Sequence, residues 1–298
     1  MKTHDCGSVY PMKVFLLTIS WLLLVLHVLA FAGESQPIGQ KQWMGPDGQL
    51  LPFSTADEVC EFLRTAEIQG MQRIPTGLTK PKKLLLEKDG TKANAIFHSF
   101  RREKRQMKLG RELVSHYRDS YLNQVAAYEM SRLLGMTNVP PTVLREISGR
   151  KGSVQLWIEN GRTEKKRREE KIELENLSAI NLCTYDMWVF DYLINNIDRH
   201  LDNILYDPDW QLWLIDHTRA FGRDPGLLVK GKLRRCSRSM WTKLQSLDDQ
   251  VISQTLEPYM GRKEINALLS RRKEIVSRLK EKIRKEGETK VLFDYENP

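Results

Sequence analysis

Cysteine is scarce in this chain of 298 residues, which contains only four. Cys6 falls in an amino-terminal segment that we expect to be removed, which leaves Cys60, Cys183 and Cys236. An odd number cannot form a complete disulfide framework, and no Cys-x-x-Cys or Cys/His spacing typical of zinc occurs. The sequence therefore excludes a disulfide-stapled or zinc-finger scaffold. Two arrangements of the three remaining cysteines stay open, namely one disulfide bridge with a free thiol, and three thiols.

The chain also lacks a stripe of interleaved basic and aromatic residues, although basic residues outnumber acidic ones by 47 to 38. Basic runs such as residues 165–168 are flanked by glutamate, as on a solvated surface. We therefore predict no nucleic-acid binding. The net charge of +9 instead favours anionic partners such as nucleotides.

The one long apolar run lies near the amino terminus, over residues 15–32. It follows a basic residue and ends in Ala-Phe-Ala, which is typical of a signal peptide cut after Ala32. We predict a signal peptide over residues 1–32, with Met12 as an alternative start, and an exported protein that is periplasmic, secreted or in the lumen of the secretory pathway. The alternative is an uncleaved anchor formed by residues 14–32, which would bring the protein into contact with the membrane.

The rest of the chain divides by pattern into an extension and two lobes. Residues 33–75 contain a short amphipathic helix at 55–66 and are predicted to form an amino-terminal extension. Residues 76–160 are predicted to form strand, strand, helix, strand and strand, with Asp89-Gly90 as the first hairpin turn. Residues 161–298 are mainly helical in pattern. The expected fold class is α+β, with a small antiparallel-sheet lobe and a larger helical lobe.

The most informative polar residues follow an apolar helix predicted over residues 172–195. They form the sequence Asp198-Arg199-His200-Leu201-Asp202-Asn203, and Asp216-His217 comes after a probable hairpin. A hairpin symmetric about residues 209–210 places Asn203 opposite Asp216, with Cβ atoms roughly 5 Å apart. An amide oxygen and a carboxylate that converge in this way suit a hard cation such as Mg²⁺. Asp198, in the loop before the hairpin, is placed to reach a substrate hydroxyl.

This spacing resembles that of a known superfamily. Asp-x-x-x-x-Asn, followed thirteen residues later by Asp, is the catalytic-loop and metal-binding pattern of the protein-kinase-like fold. Its Asp-Arg-His-x-x-Asn form is similar to an atypical branch: phosphatidylinositol 3- and 4-kinases, HipA-like kinases and secretory-pathway kinases of the Golgi casein kinase type. The resemblance covers about residues 78–285 and implies the two-lobed protein-kinase-like fold. One departure is that His217-Thr218 stands where the pattern has Phe-Gly.

The resemblance implies a role for each residue of the motif. Asp198 is expected to be the catalytic base, while Asn203 and Asp216 are expected to hold Mg²⁺ or Mn²⁺ against the phosphates of ATP. The neighbouring residues are expected to support the loop without reacting; they are Arg199, His200, Asp202 and His217.

The resemblance also requires a lysine on the second strand of the small lobe and a glutamate in its helix. His98 and Gln124 occupy the positions that align with them, so two neutral side chains replace the ion pair. Gln124 is able to hydrogen-bond the His98 imidazole, which suggests a matched nucleotide-binding pair; the alternative is an ordinary polar pair. If a cation is needed, Lys104 and Arg101 or Arg102 follow the strand closely.

Three functions are open on this basis. The leading hypothesis is an exported, ATP- and metal-dependent phosphotransferase acting on a hydroxyl of an unknown protein, lipid or sugar. The first alternative is a pseudokinase that binds a nucleotide or a partner without turnover, because His98 and Gln124 are neutral. The second is a metal-dependent hydrolase in which mixed oxygen and nitrogen ligands bind zinc or manganese. Its ligands are Asp198, His200, Asp202, Asp216 and His217.

Overall fold

The small lobe is built on antiparallel strands. The computed structural model describes residues 43–75, 80–109, 112–174, 177–226 and 230–295. In chain order the strands of this lobe are β1 (Glu67–Arg73), β2 (Lys82–Lys88), β3 (Thr91–His98), β4 (Arg101–Leu109), β5 (Glu112–Ser120), β6 (Thr142–Ile147) and β7 (Arg150–Leu156). Five of them form one sheet in the order β1-β2-β3-β7-β6, and β4 with β5 forms a separate hairpin. The antiparallel small lobe expected from the sequence is confirmed.

The turn between β2 and β3 shows why the sequence predicts this hairpin. Asp89 and Gly90 both have positive φ angles, of 50° and 75°. Glycine adopts this conformation freely and aspartate tolerates it, so Asp-Gly favours a tight turn whose twist matches the strands. Alternate side chains of the two strands are buried as a result, namely Leu84, Leu86, Ala93, Ala95 and Phe97.

Two helices pack on the strands of the small lobe. They are α1 (Ala56–Thr65) and α2 (Tyr121–Leu133). A capping box begins α1, because the Thr55 hydroxyl accepts from the Glu58 N–H while the Glu58 carboxylate accepts from the Thr55 N–H. The Ser120 hydroxyl caps α2, and Gly135 follows its end with a φ of 71°. Both helices lie where the sequence predicts them.

The large lobe is mainly helical and is centred on one apolar helix. Its helices are α3 (Glu164–Glu169), α4 (Leu177–Leu193), α5 (Arg238–Ser246), α6 (Asp249–Leu256), α7 (Arg262–Glu286) and α8 (Glu288–Val291). Its short strands are β8 (Arg162–Thr163), β9 (Ile204–Tyr206), β10 (Leu212–Leu214), β11 (Cys236–Ser237) and β12 (Leu292–Phe293). The second half of α4 is buried against α7, β10 and β11, so the loop that follows Leu193 starts from a fixed point.

The hairpin of β9 and β10 is present, but its register differs by one residue from the prediction. Leu214 pairs with Ile204, and the Ile215 N–H donates to the Asn203 carbonyl at 3.3 Å. Asn203 therefore lies opposite Ile215, and the prediction that it lies opposite Asp216 is wrong.

The turn of this hairpin explains the shift. It spans residues 207–211, and the Asp207 carboxylate accepts from the N–H groups of Asp209 and Gln211 and from Trp213 Nε1. Trp210 takes a φ of 58°, a conformation that is uncommon outside glycine. This five-residue turn is centred on Asp209. The predicted turn has its centre between residues 209 and 210, which accounts for the shift of one residue.

Two elements of the small lobe were not predicted. The first is β1, which lies inside residues 33–75, so the sheet begins before residue 76, the predicted start of the small lobe. The second is the β4–β5 hairpin between β3 and α2. Nearly all described side chains of β4 are exposed, so the strand lacks the apolar alternation by which strands are recognised.

The predicted signal peptide at residues 1–32 lies outside the described residues. Within the described part of the chain, no helix is both long enough and apolar enough to cross a membrane. Among the described residues, Cys60, Cys183 and Cys236 form no disulfide, so the alternative of three thiols is the one observed.

Candidate active site

Asp198 lies in the loop that joins α4 to the β9–β10 hairpin. Its N–H donates to Asn196 Oδ1 at 3.2 Å, and its carbonyl oxygen accepts from Asn203 Nδ2 at 2.9 Å. Asn196 is itself anchored to α4, because its Nδ2 donates to Asp191 Oδ1 at 2.9 Å. The loop is thus held on both sides of Asp198, which lines a cavity of about 1010 Å³.

Arg199 holds this loop against the second strand of the hairpin. Its guanidinium forms a two-point ion pair with Asp191, with N···O distances of 2.9 and 3.0 Å. It also donates to the carbonyl oxygens of Asn203 and Ile215, at 2.5 and 3.0 Å, and to His217 Nε2 at 2.8 Å. Only 2% of the Arg199 side chain is exposed. Since Asn203 and Ile215 face each other, one side chain fixes the catalytic loop relative to both strands.

Asp216 follows β10 and turns the chain away from the hairpin. Its φ of 53° lies in the left-handed region that few residues other than glycine adopt. Its Oδ1 accepts from the Thr218 hydroxyl at 2.9 Å. Asn203 uses its amide nitrogen to bond Asp198, which leaves its Oδ1 as an oxygen donor. A carboxylate and an amide oxygen next to two paired strands are the ligand types that Mg²⁺ and Mn²⁺ prefer.

The helix α2 is joined to the segment that follows Asp216. The Ser120 N–H and Asn123 Nδ2 both donate to the Thr218 carbonyl, at 2.9 and 2.7 Å. Asn123 Nδ2 also donates to the Ala220 carbonyl at 3.0 Å. The predicted metal-binding segment is therefore attached to the small lobe as well as to the large one.

The two histidines of the motif have opposite environments. His217 is fully buried, accepts from Arg199 and packs edge-on against Phe190, with ring centroids 5.7 Å apart. Burial and the charge of Arg199 hold the His217 pKa well below its usual value, so this imidazole is neutral. The His200 side chain is 52% exposed and accepts from the Asp202 N–H at 3.2 Å. Both therefore shape the loop, one from the core and one from the surface.

The ligands required by the hydrolase hypothesis do not converge. The Asp202 carboxylate lies on the surface, 3.6 Å from Lys165 Nζ, whereas His217 is buried against Arg199. No group of three or more His, Cys, Asp or Glu side chains able to hold a metal occurs in the described residues. The mixed nitrogen and oxygen site of that hypothesis is therefore not formed.

Gln124, on α2, connects this helix to the predicted metal-binding segment. Its Oε1 accepts from the His217 N–H at 2.8 Å, and its Nε2 donates to Gln155 Oε1 at 2.9 Å. Gln155 in turn donates to the Thr142 hydroxyl at 2.8 Å. The suggested hydrogen bond between Gln124 and His98 is thus replaced by a bond to the neighbouring strand.

His98, at the end of β3, is buried and faces the same site. Burial lowers its pKa, although the negative charges of Asp216 and Asp119 oppose that change. Its Nδ1 has no hydrogen-bond partner among the described residues. Lys104 lies elsewhere, because it is exposed on β4 and lines a second cavity of about 230 Å³. The wall of the site at position 98 is therefore neutral.

Arg219 and Asp119 were not predicted, and both contact the site. Arg219 Nη1 lies 3.0 Å from Asp198 Oδ2, and its Nε lies 3.1 Å from Asp119 Oδ2 on β5. Burial raises the pKa of Asp198, and the Arg219 guanidinium opposes this rise. The Tyr117 hydroxyl donates to the same Asp119 oxygen at 3.0 Å. Arg219 lies three residues after Asp216, and this short distance could have identified it from the sequence. Asp119 had no such signal, because the β4–β5 hairpin was not predicted.

Several buried polar atoms around this site lack a partner within the described part of the chain. They are His98 Nδ1, Asp119 Oδ1 and Asn123 Oδ1. Buried polar groups in folded proteins are nearly always satisfied, so a group of unmatched ones indicates a ligand site. Asp119 Oδ1 and Asn123 Oδ1 only accept, as do the oxygens of Asn203 and Asp216, so these atoms fit a metal cation or a hydrogen-bond donor.

Comparison with known proteins agrees with this geometry. The family model described as Golgi casein kinase, C-terminal, Fam20 matches residues 150–285. A structure of hydra Fam20 with sugar is similar, with a TM-score of 0.62 and 16% identity over 80% of this chain and 92% of that one. A Golgi casein kinase structure has a TM-score of 0.58 and 17% identity over 82% of this chain and 78% of that one. A further Golgi casein kinase structure, with Mn/ADP bound, has a TM-score of 0.54 and 17% identity over 82% of this chain and 80% of that one.

A search among curated proteins found no match. The structural likenesses are at 16–17% identity and concern the fold alone. The family match covers the catalytic loop and the hairpin, and the five-stranded sheet with its helix lies on the other side of the site. The chain therefore has the fold of these kinase structures, and its residues 150–285 match the Fam20 Golgi casein kinase family model.

Proposed function

We propose that the protein is an atypical kinase, namely an exported, ATP- and metal-dependent phosphotransferase that acts on a hydroxyl group. The observation that carries this proposal is a chain of hydrogen bonds: the Asn203 amide holds the Asp198 carbonyl, and the buried Arg199 holds the carbonyls of Asn203 and of Ile215, which precedes Asp216. The Mn/ADP complex of the similar Golgi casein kinase supports the choice of nucleotide and metal. Export rests on the signal peptide predicted at residues 1–32.

In this function Asp198 receives the proton of the acceptor. The acceptor oxygen forms a bond to the terminal phosphorus of ATP, while the bond from that phosphorus to the bridging oxygen breaks. ADP leaves with the electron pair, and the hydroxyl proton passes to the Asp198 carboxylate. Arg219, at 3.0 Å, favours the ionised form of Asp198 that accepts the proton. Positioning and charge stabilisation supply most of the rate enhancement in reactions of this class.

Asn203 and Asp216 are the residues that would hold Mg²⁺ or Mn²⁺. When bound, the metal neutralises charge on the phosphates. Arg199 holds the backbone of Asn203 and of Ile215, so the two oxygen ligands are fixed before any ligand binds. The cavity of about 1010 Å³ beside Asp198 is the proposed place of the acceptor.

Calorimetric titration with ATP in the presence of Mn²⁺ or Mg²⁺ tests the proposal. We expect saturable, metal-dependent binding followed by a steady heat of turnover. Binding without turnover would favour a pseudokinase, and absence of binding with either metal would contradict both functions.

The pseudokinase is the second candidate, and the neutral wall at His98 and Gln124 favours it. In the protein-kinase-like fold a Lys–Glu ion pair normally occupies these positions and orients the phosphates. Here Gln124 is engaged with Gln155 and with the backbone of His217. A nucleotide would then be bound by the metal site without the usual cation.

Replacing Gln124 by glutamate is expected to destabilise the fold. The new carboxylate would be buried, with one oxygen facing Gln155 Oε1, which now lies 2.9 Å from the Gln124 amide nitrogen. An uncompensated buried charge costs about 3–5 kcal/mol in the free energy of unfolding. If positions 98 and 124 face each other, adding His98→Lys recovers about 1–3 kcal/mol of this loss. Urea unfolding of the parent, the two single variants and the double variant measures both effects.

The matched control is Gln106→Glu, which makes the same change on the exposed strand β4 and should alter stability by under about 0.5 kcal/mol. Additive effects of the two changes would contradict the alignment of positions 98 and 124. ATP turnover by the same four proteins separates the candidate functions. If the parent is a pseudokinase, the double variant gains a turnover that the parent lacks.

A further inference from the structure

The proposed active site lacks a cation where the fold normally supplies one. His98 is buried and neutral, and Gln124 is uncharged and bonded to Gln155. The phosphoryl group carries negative charge throughout its transfer, and enzymes of this class place a lysine or arginine against it. Asp119, Asp198 and Asp216 add further negative charge around the site. Another positive group is therefore required if phosphate is to be transferred here.

Arg219 is the cation that the structure brings to this point. Among the described residues it is the one guanidinium or ammonium group in contact with the Asp198 carboxylate. Its Nε and Nη1 bond Asp119 and Asp198, and its Nη2 makes no hydrogen bond to the described residues. Its side chain is 17% exposed and lines the cavity of about 1010 Å³, so a ligand in the cavity can reach it.

We infer that Arg219 binds the transferring phosphoryl group and supplies the positive charge that the lysine position, here His98, no longer provides. This inference rests on the proposed phosphotransfer function. An acceptor hydroxyl that gives its proton to Asp198 must lie about 3 Å from that carboxylate, and the phosphorus it attacks lies next to it. Arg219 Nη1 is itself 3.0 Å from Asp198, so the guanidinium lies next to the space where the phosphoryl oxygens must pass.

A purely structural role for Arg219 makes a different prediction. If Arg219 only braces Asp198 against Asp119, its removal affects every nucleotide in the same way. If it binds the terminal phosphoryl group, its removal weakens ATP-like ligands and spares ADP, which lacks that group. A charged hydrogen bond of this kind changes affinity by about tenfold to a hundredfold.

The test is calorimetric binding of ADP and of the β,γ-imido analogue of ATP, each with Mn²⁺, to the full chain and to Arg219→Met. We expect the analogue to bind the variant about tenfold or more weakly, and ADP to bind within twofold of the parent. Arg219→Lys keeps the positive charge, so its affinity for the analogue should lie between those of the parent and of Arg219→Met. This variant keeps the test decisive if the methionine variant fails to fold.

The matched control is Arg284→Met, which makes the same change at an exposed position of α7 that does not line the cavity. It should bind both nucleotides as the parent does. Equal loss of both nucleotides in the Arg219 variants, or loss of neither, overturns the inference while the proposed function stands. A parent protein that binds neither nucleotide overturns the proposed function and the inference with it.

Turnover provides a second readout. Arg219→Met should lower kcat for ADP release by about 10²–10³-fold, as for removal of one donor to developing charge. Adding His98→Lys supplies a cation at the lysine position and should raise kcat at least tenfold above that of Arg219→Met. A double variant no faster than Arg219→Met would overturn the claim that Arg219 replaces the missing lysine.

Discussion

Asp198→Asn is expected to abolish phosphoryl transfer and to leave nucleotide binding nearly unchanged. Asparagine has the size of aspartate and can still accept from Arg219, which lies 3.0 Å away, so the loop should keep its conformation. It cannot take a proton from the acceptor, and removal of a positioned general base lowers the rate by about 10²–10⁴-fold. Release of ADP, with water as acceptor when no other is known, measures the rate, and titration with ATP and Mn²⁺ measures binding.

The control for this experiment is Asp209→Asn. It makes the same chemical change at an exposed position in the turn of the β9–β10 hairpin, where it should alter neither rate nor binding. A variant at position 198 that retains more than a tenth of the parent rate would contradict the role of Asp198. Parallel loss of rate and binding would instead assign Asp198 to the nucleotide site.

Arg199→Ala is expected to have the largest effect on stability. The change would leave Asp191 buried without its counter-ion, since 1% of that side chain is exposed. It would also remove the donors of two backbone carbonyl groups, at Asn203 and Ile215. Breaking a buried ion pair in this way costs about 3–5 kcal/mol, which is comparable with the whole stability of many domains. Urea or thermal unfolding provides the measurement.

Two further variants interpret the result. Arg162→Ala removes an arginine paired with Glu170 at 2.9 Å, where both side chains are about 40% exposed, and should cost under about 1 kcal/mol. Arg199→Lys keeps the charge but not the planar fork, so it should recover stability only in part. A loss at Arg199 no larger than at Arg162 would show that this ion pair does not hold the loop.

The sequence predicted which elements carry the candidate site residues better than it predicted the strand pairing. The spacing of Asp198, Asn203 and Asp216 was enough to place them on one loop and one hairpin, because strand and turn signals were strong there. The register was one residue wrong, since it depends on a turn whose shape is set by the Asp207 side chain. Such a turn involves hydrogen bonds to three groups and has no short sequence signature.

The pairing of Gln124 could not be read from the chain for a related reason. Its partner Gln155 lies 31 residues away on a central strand, where it faces inward among apolar neighbours. His98 was the nearer candidate in the resemblance, but only the packed sheet decides which polar groups meet. Arg219 was missed because its second partner, Asp119, belongs to a hairpin without apolar alternation.

The attachment of α2 has a consequence for how such an enzyme would be switched on and off. In many kinases the corresponding helix swings outward in the resting state and returns on activation. Here its residues Ser120, Asn123 and Gln124 make four hydrogen bonds to residues 217–220, which move with Asp216. Each buried bond resists breakage by about 1 kcal/mol, so the helix is latched in its working position. Control over time would then fall to the β4–β5 hairpin, whose Asp119 is linked to Asp198 through Arg219, or to the supply of nucleotide.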